Sequence, residues 1–195
     1  MAKLKSPLFS FEARGSVADT LTFFPWKGIN AVREKVTPTN PRTNAQIVQR
    51  GRMSNAVSEF HTAGYSEADM TAWARLASAE NLIMTGFNRM VKEYVDEAVA
   101  GNTWTSIHDV VVSAVIATQF VINVTKVSAG LAPYVRYGTR KTFMPLSTIM
   151  VDQTGNNWKA TIAGLVTGTL YYFSVDVGVS GATWGRVGTY MQRTA

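Results

Sequence analysis

The spacing of apolar residues changes at Gly101-Asn102, and this change restricts the fold most strongly. Before it, apolar side chains recur at helical intervals. After it, residues 105–195 are rich in Val, Thr, Tyr and Gly and contain only ten charged residues. Short β-prone runs between turns, over about 90 residues, are typical of an antiparallel β-sandwich. The sequence therefore predicts an α+β protein, with residues 105–195 as a β-sandwich that folds when expressed alone.

Three amphipathic helices are predicted before the sandwich. Asn40-Pro41 resembles an N-cap followed by a first-turn proline, so the first helix is expected from about residue 41 to about residue 61. Ser66 is expected to cap the second helix, and the third is expected to end before Gly101. The three apolar stripes are Met53, Ala56, Val57 and Phe60; Met70, Trp73, Ala74 and Ala77; and Phe87, Met90, Val91, Tyr94, Val95 and Ala98.

The first 36 residues read as extended. Two β-prone runs, 20–24 and 29–33, flank Pro25-Trp26-Lys27-Gly28, where Gly28 can take the positive φ that a tight turn needs. A two-stranded hairpin is marginally stable alone in water, so it must lie on its own subunit or on a neighbouring one. We therefore predict that residues 1–100 form an N-terminal arm and a helical assembly module.

Six strands are predicted in the second half, at 110–117, 119–127, 134–137, 158–162, 171–177 and 188–192. Turn residues separate them at 154–157, 167–168 and 180–181. The glycines near the end of the chain, Gly178, Gly181, Gly185 and Gly188, lack the strand-loop-helix context of a phosphate loop. They are interpreted as hairpin turns.

Charge is distributed unevenly along the chain. Residues 1–52 carry nine Lys and Arg against three acids, whereas residues 53–100 carry three against seven. The basic segment 1–52 could bind nucleic acid. It could also dock on the acidic helical segment 53–100 of a neighbouring subunit. A solvated surface is the plain alternative.

Catalytic chemistry finds little support. The absence of cysteine excludes disulfides, thiolate zinc sites and a cysteine nucleophile. His108 lies beside Asp109, and a dyad with Ser106 or Ser113 as nucleophile can be imagined, but sequence spacing does not assemble it. Structural or surface roles are expected for His108 and for His61.

Acidic residues on the third helix give no better catalytic candidate. Glu93 and Glu97 share a face at i, i+4, and a solvated face is the expected reading for them and for Asp96. We predict a non-enzymatic protein without a cofactor or metal. The sequence also shows no signal peptide or membrane span, so no membrane partner is expected.

The order of motifs between residues 26 and 52 resembles an N-terminal module of small proteins from tailed-phage and prophage structural gene clusters. That order is Trp26-Lys27-Gly28, then Val32-Arg33, then an Asn-Pro-x-Thr-x-x-Gln segment at 40–46, then an arginine. The resemblance covers about the first half of the chain. It implies a virion structural protein, made in the bacterial host cytoplasm, that binds other virion proteins.

A second resemblance lies in the β-rich half. Leu165, Gly168, Thr169 and Tyr171 resemble the Leu-x-Pro-Gly-Thr-x-Tyr segment of fibronectin type III domains, with Thr167 in place of the proline. Residues 134–138 resemble the third strand of that family. The resemblance implies that the Tyr171 hydroxyl bonds back to nearby backbone; a generic β-sandwich is the alternative.

We therefore expect a homo-oligomeric virion subunit, head-associated or at the neck as a decoration or head-tail junction protein. Its partners would be capsid, portal, neck or tail subunits. A phage DNA-binding protein and a tail-associated adhesion protein are the alternatives. The predicted partner-binding residues are Phe24, Trp26, Lys27, Arg33, Arg42, Gln46, Arg50 and Arg52.

Overall fold

The computed structural model describes residues 2–3, 14–17, 20–37, 39–40, 42–126, 131–179 and 183–195. The chain divides into two compact units, Met1–Thr43 and Asn44–Ala195. The regular elements described in the first unit are strands, and the second unit contains helices followed by strands. The predicted α+β class is confirmed.

The first unit is a four-stranded antiparallel sheet. Its strands are β1 (Ala2–Lys3), β2 (Gly15–Val17), β3 (Leu21–Trp26) and β4 (Ile29–Glu34), in the order β1-β4-β3-β2. Lys27 and Gly28 join β3 to β4 with φ values of 47° and 76°. A two-residue turn with positive φ at both positions matches the twist of a hairpin. The predicted hairpin is present, and β1 and β2 extend it on either side.

Helices occupy the start of the second unit. They are α1 (Asn44–Thr62), α2 (Glu67–Ala79) and α3 (Gly86–Ala100). The predicted start of α1 near residue 41 is wrong: Pro41 lies outside the described residues, and Arg42 has a φ of 46°, which a right-handed helix does not allow.

The helix ends follow the expected capping chemistry. The Ser66 hydroxyl accepts from the Asp69 N–H at 3.2 Å, and the Asp69 carboxylate accepts from the Ser66 N–H at 2.8 Å. The Thr85 hydroxyl caps α3 by accepting from the Asn88 N–H at 3.3 Å, and Gly101 ends this helix in a left-handed conformation. These local signals explain why α2 begins and α3 ends where the sequence predicts.

The helices bury much of the predicted apolar stripes against one another. Trp73 and Met90 are fully buried, whereas Met53 of α1 is half exposed. The helical core consists of Ala56, Trp73, Leu76, Met90, Val91 and Val95. α1 therefore contributes Ala56 to this core, with Phe60 partly buried against it.

Two antiparallel-rich sheets follow the helices. The strands are β5 (Thr103–Trp104), β6 (Ile107–Ile116), β7 (Gln119–Lys126), β8 (Tyr134–Gly138), β9 (Leu146–Ile149), β10 (Val151–Asp152), β11 (Asn157–Ala163), β12 (Leu170–Val179), β13 (Thr183–Arg186) and β14 (Tyr190–Arg193). One sheet has the order β10-β11-β7-β6, and the other has the order β5-β13-β12-β8-β9, with β14 also paired to β12. If β6, β7, β8, β10, β11, β12 and β13 are lettered A to G, the first sheet has the order D-E-B-A and the second contains G-F-C. This is the arrangement of an immunoglobulin-like sandwich.

Alternation along the strands builds the sandwich core. In β11, Trp158, Ala160 and Ile162 are buried while the residues between them are exposed. Phe173, Val175 and Val177 of β12 face the same core. This period of two places one face of each sheet inward.

Helix α2 packs directly on the sandwich. Ala72 belongs to the sandwich core, and its carbonyl accepts from the Thr189 N–H at 2.9 Å. The Tyr190 hydroxyl donates to the buried Asp69 carboxylate; burial and that carboxylate raise the pKa of Tyr190, so the phenol stays a neutral donor. Helices and sandwich therefore share contacts within one compact unit, and folding of residues 105–195 alone stays a prediction.

The glycines near the end of the chain are not all turns. Gly178 lies in β12 and Gly185 in β13, so the hairpin-turn interpretation is wrong for both; Gly181 lies outside the described residues. A Cβ on Gly178 would lie 2.4 Å from the Trp184 ring, and one on Gly185 would lie 2.3 Å from the Thr105 carbonyl. Close packing explains these two glycines.

Candidate assembly surface

The register of the N-terminal sheet brings three predicted partner-binding residues onto one face. Phe24 pairs with Ala31, and Trp26 pairs with Ile29. Arg33 pairs with Thr22, two residues before Phe24. Because paired residues and residues two apart share a face, Phe24, Trp26 and Arg33 lie side by side with Ile29. We call these four residues the arm face.

Cations lie over the aromatic rings of this surface. The Arg33 guanidinium carbon is 5.2 Å from the centre of the Phe24 ring, and the Lys27 ammonium is 5.9 Å from that of Trp26. Cation–π contacts at exposed sites are worth about 0.5–1 kcal/mol. They hold the long basic side chains beside the aromatic rings. The arm face therefore combines apolar area with positive charge.

The described residues of the first unit form almost no core. Among its described residues from Arg14 onwards, Ala31 alone is buried. Trp26 remains 55% exposed, and Ile29 on the same face is 41% exposed. Val17 and Leu21, which pair with each other on the opposite face, are exposed as well. Both faces thus present apolar side chains to solvent, which is unusual for a sheet that is stable alone.

The remaining predicted residues lie on α1 or just before it. Gln46 and Arg50 are one turn apart on one side of the helix, whereas Arg52, whose Nη1 donates to Gln49 Oε1 at 3.5 Å, lies on another. Arg42 is exposed in the segment that precedes the helix. The structure therefore groups the predicted arm residues but spreads the helix residues over two sides.

The first half of α1 is uncovered within its unit. Residues 44–51 are all exposed, and three apolar side chains of this helix are about half exposed: Ile47, Val48 and Met53. Sequence reasoning did not identify Ile47 and Val48 as surface residues. The signal was available, because they precede the stripe that starts at Met53 and fall outside its spacing.

A charged cluster between α2, α3 and the sheet was missed from sequence. Arg89 Nη1 lies 2.6 Å from Glu93, and its Nε and Nη2 donate to the two Glu80 oxygens at 2.8 and 3.0 Å. Arg186 Nη1 of β13 lies 3.5 Å from Glu93. The expectation of a solvated Glu93 is wrong, because α3 turns this side chain toward the sheet; Asp96 is exposed and pairs with Lys92.

Electrostatics within this cluster follow from burial and pairing. Burial raises the pKa of the Glu80 carboxyl, but the Arg89 guanidinium outweighs that effect and holds the pKa below its usual value. Asp176, paired with Arg136 at 2.9 Å, shows the opposite balance: burial raises its pKa more than Arg136 and Arg186 lower it.

The imagined catalytic residues do not assemble. His108 Nδ1 lies 2.9 Å from Asp109 Oδ2. However, the Ser106 hydroxyl donates to Glu59, and the Ser113 hydroxyl accepts from Asn123 Nδ2 at 2.9 Å. Each serine is therefore engaged elsewhere. Within the described part of the chain, no group of three or more His, Asp or Glu side chains could hold a metal ion, and no helix is long and apolar enough to cross a membrane.

The tyrosine corner expected from the fibronectin type III resemblance is present. The Tyr171 hydroxyl accepts from the Val166 N–H at 3.0 Å, which ties the start of β12 to the loop before it. Thr167 stands between them and does not prevent the bond. Residues 134–138 form β8, which pairs with β12 as the third strand of this sandwich should.

Comparisons with solved structures find partial matches to fibronectin type III domains. An FN3 domain of human collagen XX matches with a TM-score of 0.37 and 16% identity, covering 47% of this chain and 94% of that one. The FN5 domain of Drosophila Lar matches with a TM-score of 0.30 and 16% identity over 46% of this chain and 94% of that one.

A multidomain structure shows the same partial coverage. The FN1–FN3 region of chicken CNTN1 matches with a TM-score of 0.37 and 16% identity over 46% of this chain, and the match spans only 31% of that structure. No protein-family model matches the chain, and no curated protein matches it.

Proposed function

We propose that this protein is a non-enzymatic structural subunit of a tailed-phage particle, whose N-terminal sheet docks on neighbouring virion proteins. The observation that carries the proposal is the sheet of residues 14–43, in which Ala31 is the one buried residue among those described. Covering a large exposed side chain such as Trp26 contributes about 1.5–3 kcal/mol, so a partner would stabilise this sheet substantially. A repeated assembly supplies that partner at every copy.

The particle itself is inferred from the N-terminal motif order. Trp26-Lys27-Gly28, Val32-Arg33 and Asn40 to Gln46 occur as in the phage module, and the arm face places two of these motifs together. A head-associated or neck position is preferred, with capsid or portal proteins as partners. Copies of this chain would also bind one another in the repeated assembly. The sandwich would then project as an outward or inter-subunit module.

The experiment replaces Arg42 and Arg50 with glutamine together in cells that produce the particle. If these arginines contact protein neighbours, the double variant should fold as a free subunit but fail to enter particles, because contacts desolvated between subunits are worth a few kcal/mol. Lys159→Gln with Arg193→Gln is the matched control, since both residues are exposed on the sandwich. Normal incorporation of the Arg42 and Arg50 variant would contradict this role.

The same proteins test the DNA-binding alternative, which the basic first 52 residues favour. Affinity for duplex DNA should then fall steeply with salt, as expected when several phosphates are neutralised. Tight, salt-sensitive binding that the Arg42 and Arg50 replacements abolish, and the control replacements do not, would replace the assembly proposal by a nucleic-acid one.

A further inference from the structure

A polar cleft lies on the outer face of the second sheet of the sandwich. Arg136 of β8 pairs with Ser174 of β12, and Asp176 of β12 pairs with Arg186 of β13. Because paired residues and residues two apart share a face, these four side chains lie on one surface. Val175, between Ser174 and Asp176, is buried in the sandwich core on the opposite face.

Helices α2 and α3 cover part of this outer face and leave a cavity of about 280 Å³ beside it. Its polar lining includes Glu80, Arg136, Lys141, Ser174, Arg186 and Thr189. An adjoining cavity of about 290 Å³ shares Arg136 and continues past Asp176. The first cavity lies across β8, β12 and β13, and we call it the arginine cleft.

Hydrogen-bond donors outnumber acceptors in the arginine cleft. A guanidinium has five N–H donors. Arg136 uses Nε on Asp176 at 2.9 Å and is 58% exposed, while Arg186 makes one long contact of 3.5 Å to Glu93. The Lys141 ammonium reaches only Ser78 Oγ, at 3.4 Å.

The acids nearby are already engaged. Both Glu80 oxygens accept from Arg89, at 2.8 and 3.0 Å, and Asp176 is paired with Arg136. Three cations, Arg136, Lys141 and Arg186, therefore line the arginine cleft together with one carboxylate, Glu80, whose two oxygens are occupied. The cleft keeps an excess of positive charge.

A buried hydroxyl supplies an independent observation. Thr189 lines the cleft and is 1% exposed, yet its Oγ1 has no hydrogen-bond partner among the described residues. Leaving such a group unsatisfied destabilises the fold, so buried hydroxyls are normally paired. Oγ1 exposes less than 1 Å², so a ligand oxygen in the cleft would satisfy it after the Thr189 side chain rotates toward the cleft.

We propose that the arginine cleft binds a tetrahedral oxyanion, a phosphate group, between Arg136 and Arg186. The Cα atoms of Arg136 and Arg186 are about 12 Å apart, because two strand spacings across the sheet and two residues along it separate them. Two extended arginine side chains can span that distance and bind one anion. Lys141 adds charge, and the Thr189 hydroxyl donates to an oxygen. The phosphate is either free or carried by a larger molecule such as a sugar.

Titration calorimetry on the full chain at constant ionic strength tests the proposal with inorganic phosphate, glucose 6-phosphate and glucose. Saturable binding of one phosphate is expected, and none of glucose. Thr189→Val should weaken binding at least about fivefold without lowering the unfolding temperature, because the hydroxyl has no protein partner to lose. Arg136→Gln, at an exposed site, should weaken it at least about tenfold.

Lys159→Gln on β11 is the control, since it removes one exposed positive charge from the other sheet. Its affinity should stay within about twofold of the unsubstituted chain, because charges beyond a Debye length are screened. Equal binding of inorganic phosphate and glucose 6-phosphate would assign the free anion, and preference for glucose 6-phosphate would assign a carried phosphate. No saturable binding of either, or equal loss in Lys159→Gln and Arg136→Gln, would overturn the proposal.

Discussion

At the scale of single residues, one hydrogen bond anchors the loop that precedes β12. The Tyr171 side chain is buried and its hydroxyl accepts from the Val166 N–H at 3.0 Å. Tyr171→Phe leaves the ring in place and leaves the Val166 N–H without this acceptor. We expect a loss of about 1 kcal/mol in the free energy of unfolding, measured by urea denaturation.

Tyr172→Phe is the matched control for this substitution. Tyr172 is half-buried on the opposite face of the same strand. Tyr172→Phe should therefore lower the free energy of unfolding by less than Tyr171→Phe does. Equal losses in the two variants would show that the corner hydrogen bond does not stabilise the sandwich.

A second residue links stability to pH. Burial raises the pKa of Asp176 despite Arg136 and Arg186, so the native state binds this proton more tightly than the unfolded chain. Stability contributed by this group therefore decreases as pH rises through the window from its usual pKa of about 3.9 up to its raised value.

Asp176→Asn removes that ionisation. It should unfold at the same or a higher urea concentration than the unsubstituted chain near neutral pH, and the difference should shrink as the pH falls toward about 4. A variant that is less stable at neutral pH, with the deficit disappearing in acid, would mean that the Arg136 pair outweighs the cost of burial.

At the scale of elements, α2 and the segment between β13 and β14 meet without room for a side chain. A Cβ on Gly188 would lie 2.1 Å from the Ala72 carbonyl carbon and 2.2 Å from the Trp73 nitrogen. Backbone cannot move aside as a flexible side chain can, so Gly188→Ala should cost about 3 kcal/mol or more.

Gly51→Ala is the control at an open position of α1. A Cβ there meets nothing within 4 Å, and alanine favours a helix over glycine by up to about 1 kcal/mol. Thermal unfolding should show a lower midpoint for Gly188→Ala and an unchanged or higher one for Gly51→Ala. A Gly188→Ala midpoint equal to that of the parent would contradict the close packing of α2 on the sandwich.

Elements with strong local signals could be predicted from the sequence. Ser66 and Gly101 mark helix ends by capping chemistry, and the Tyr-x-Phe-x-Val alternation marks β12. The start of α1 could not be placed, because the positive φ of Arg42 overrides the proline signal. Short strands such as β1 and β5 could not be predicted, because they depend on partners that lie about 30 and 80 residues away in the sequence.

The candidate sites also differ in whether local sequence signals are enough to predict them. Trp26 and Arg33 could be chosen from the motif order, and the hairpin register follows from the turn at Lys27-Gly28. The arginine cleft could not be predicted, since Arg136, Arg186 and Thr189 meet only through sheet pairing and the packing of α2.

At the scale of the whole molecule, the proposed function requires a partner that covers the N-terminal sheet. The second unit has a helical core and a sandwich core, whereas the described part of the first unit buries Ala31 alone. A sheet with two apolar faces in water opens readily, and its amide hydrogens then exchange with solvent. Docking on a neighbouring subunit would suppress that opening.

Hydrogen exchange of residues 21–34, compared between the isolated subunit and the assembled particle, tests this claim most directly. Strand β11, buried in the sandwich, serves as the internal reference. We expect exchange in residues 21–34 to slow by at least about 100-fold on assembly, as it would if docking contributes about 3 kcal/mol, while β11 changes little. Equal exchange of residues 21–34 in the free and assembled states would contradict the account.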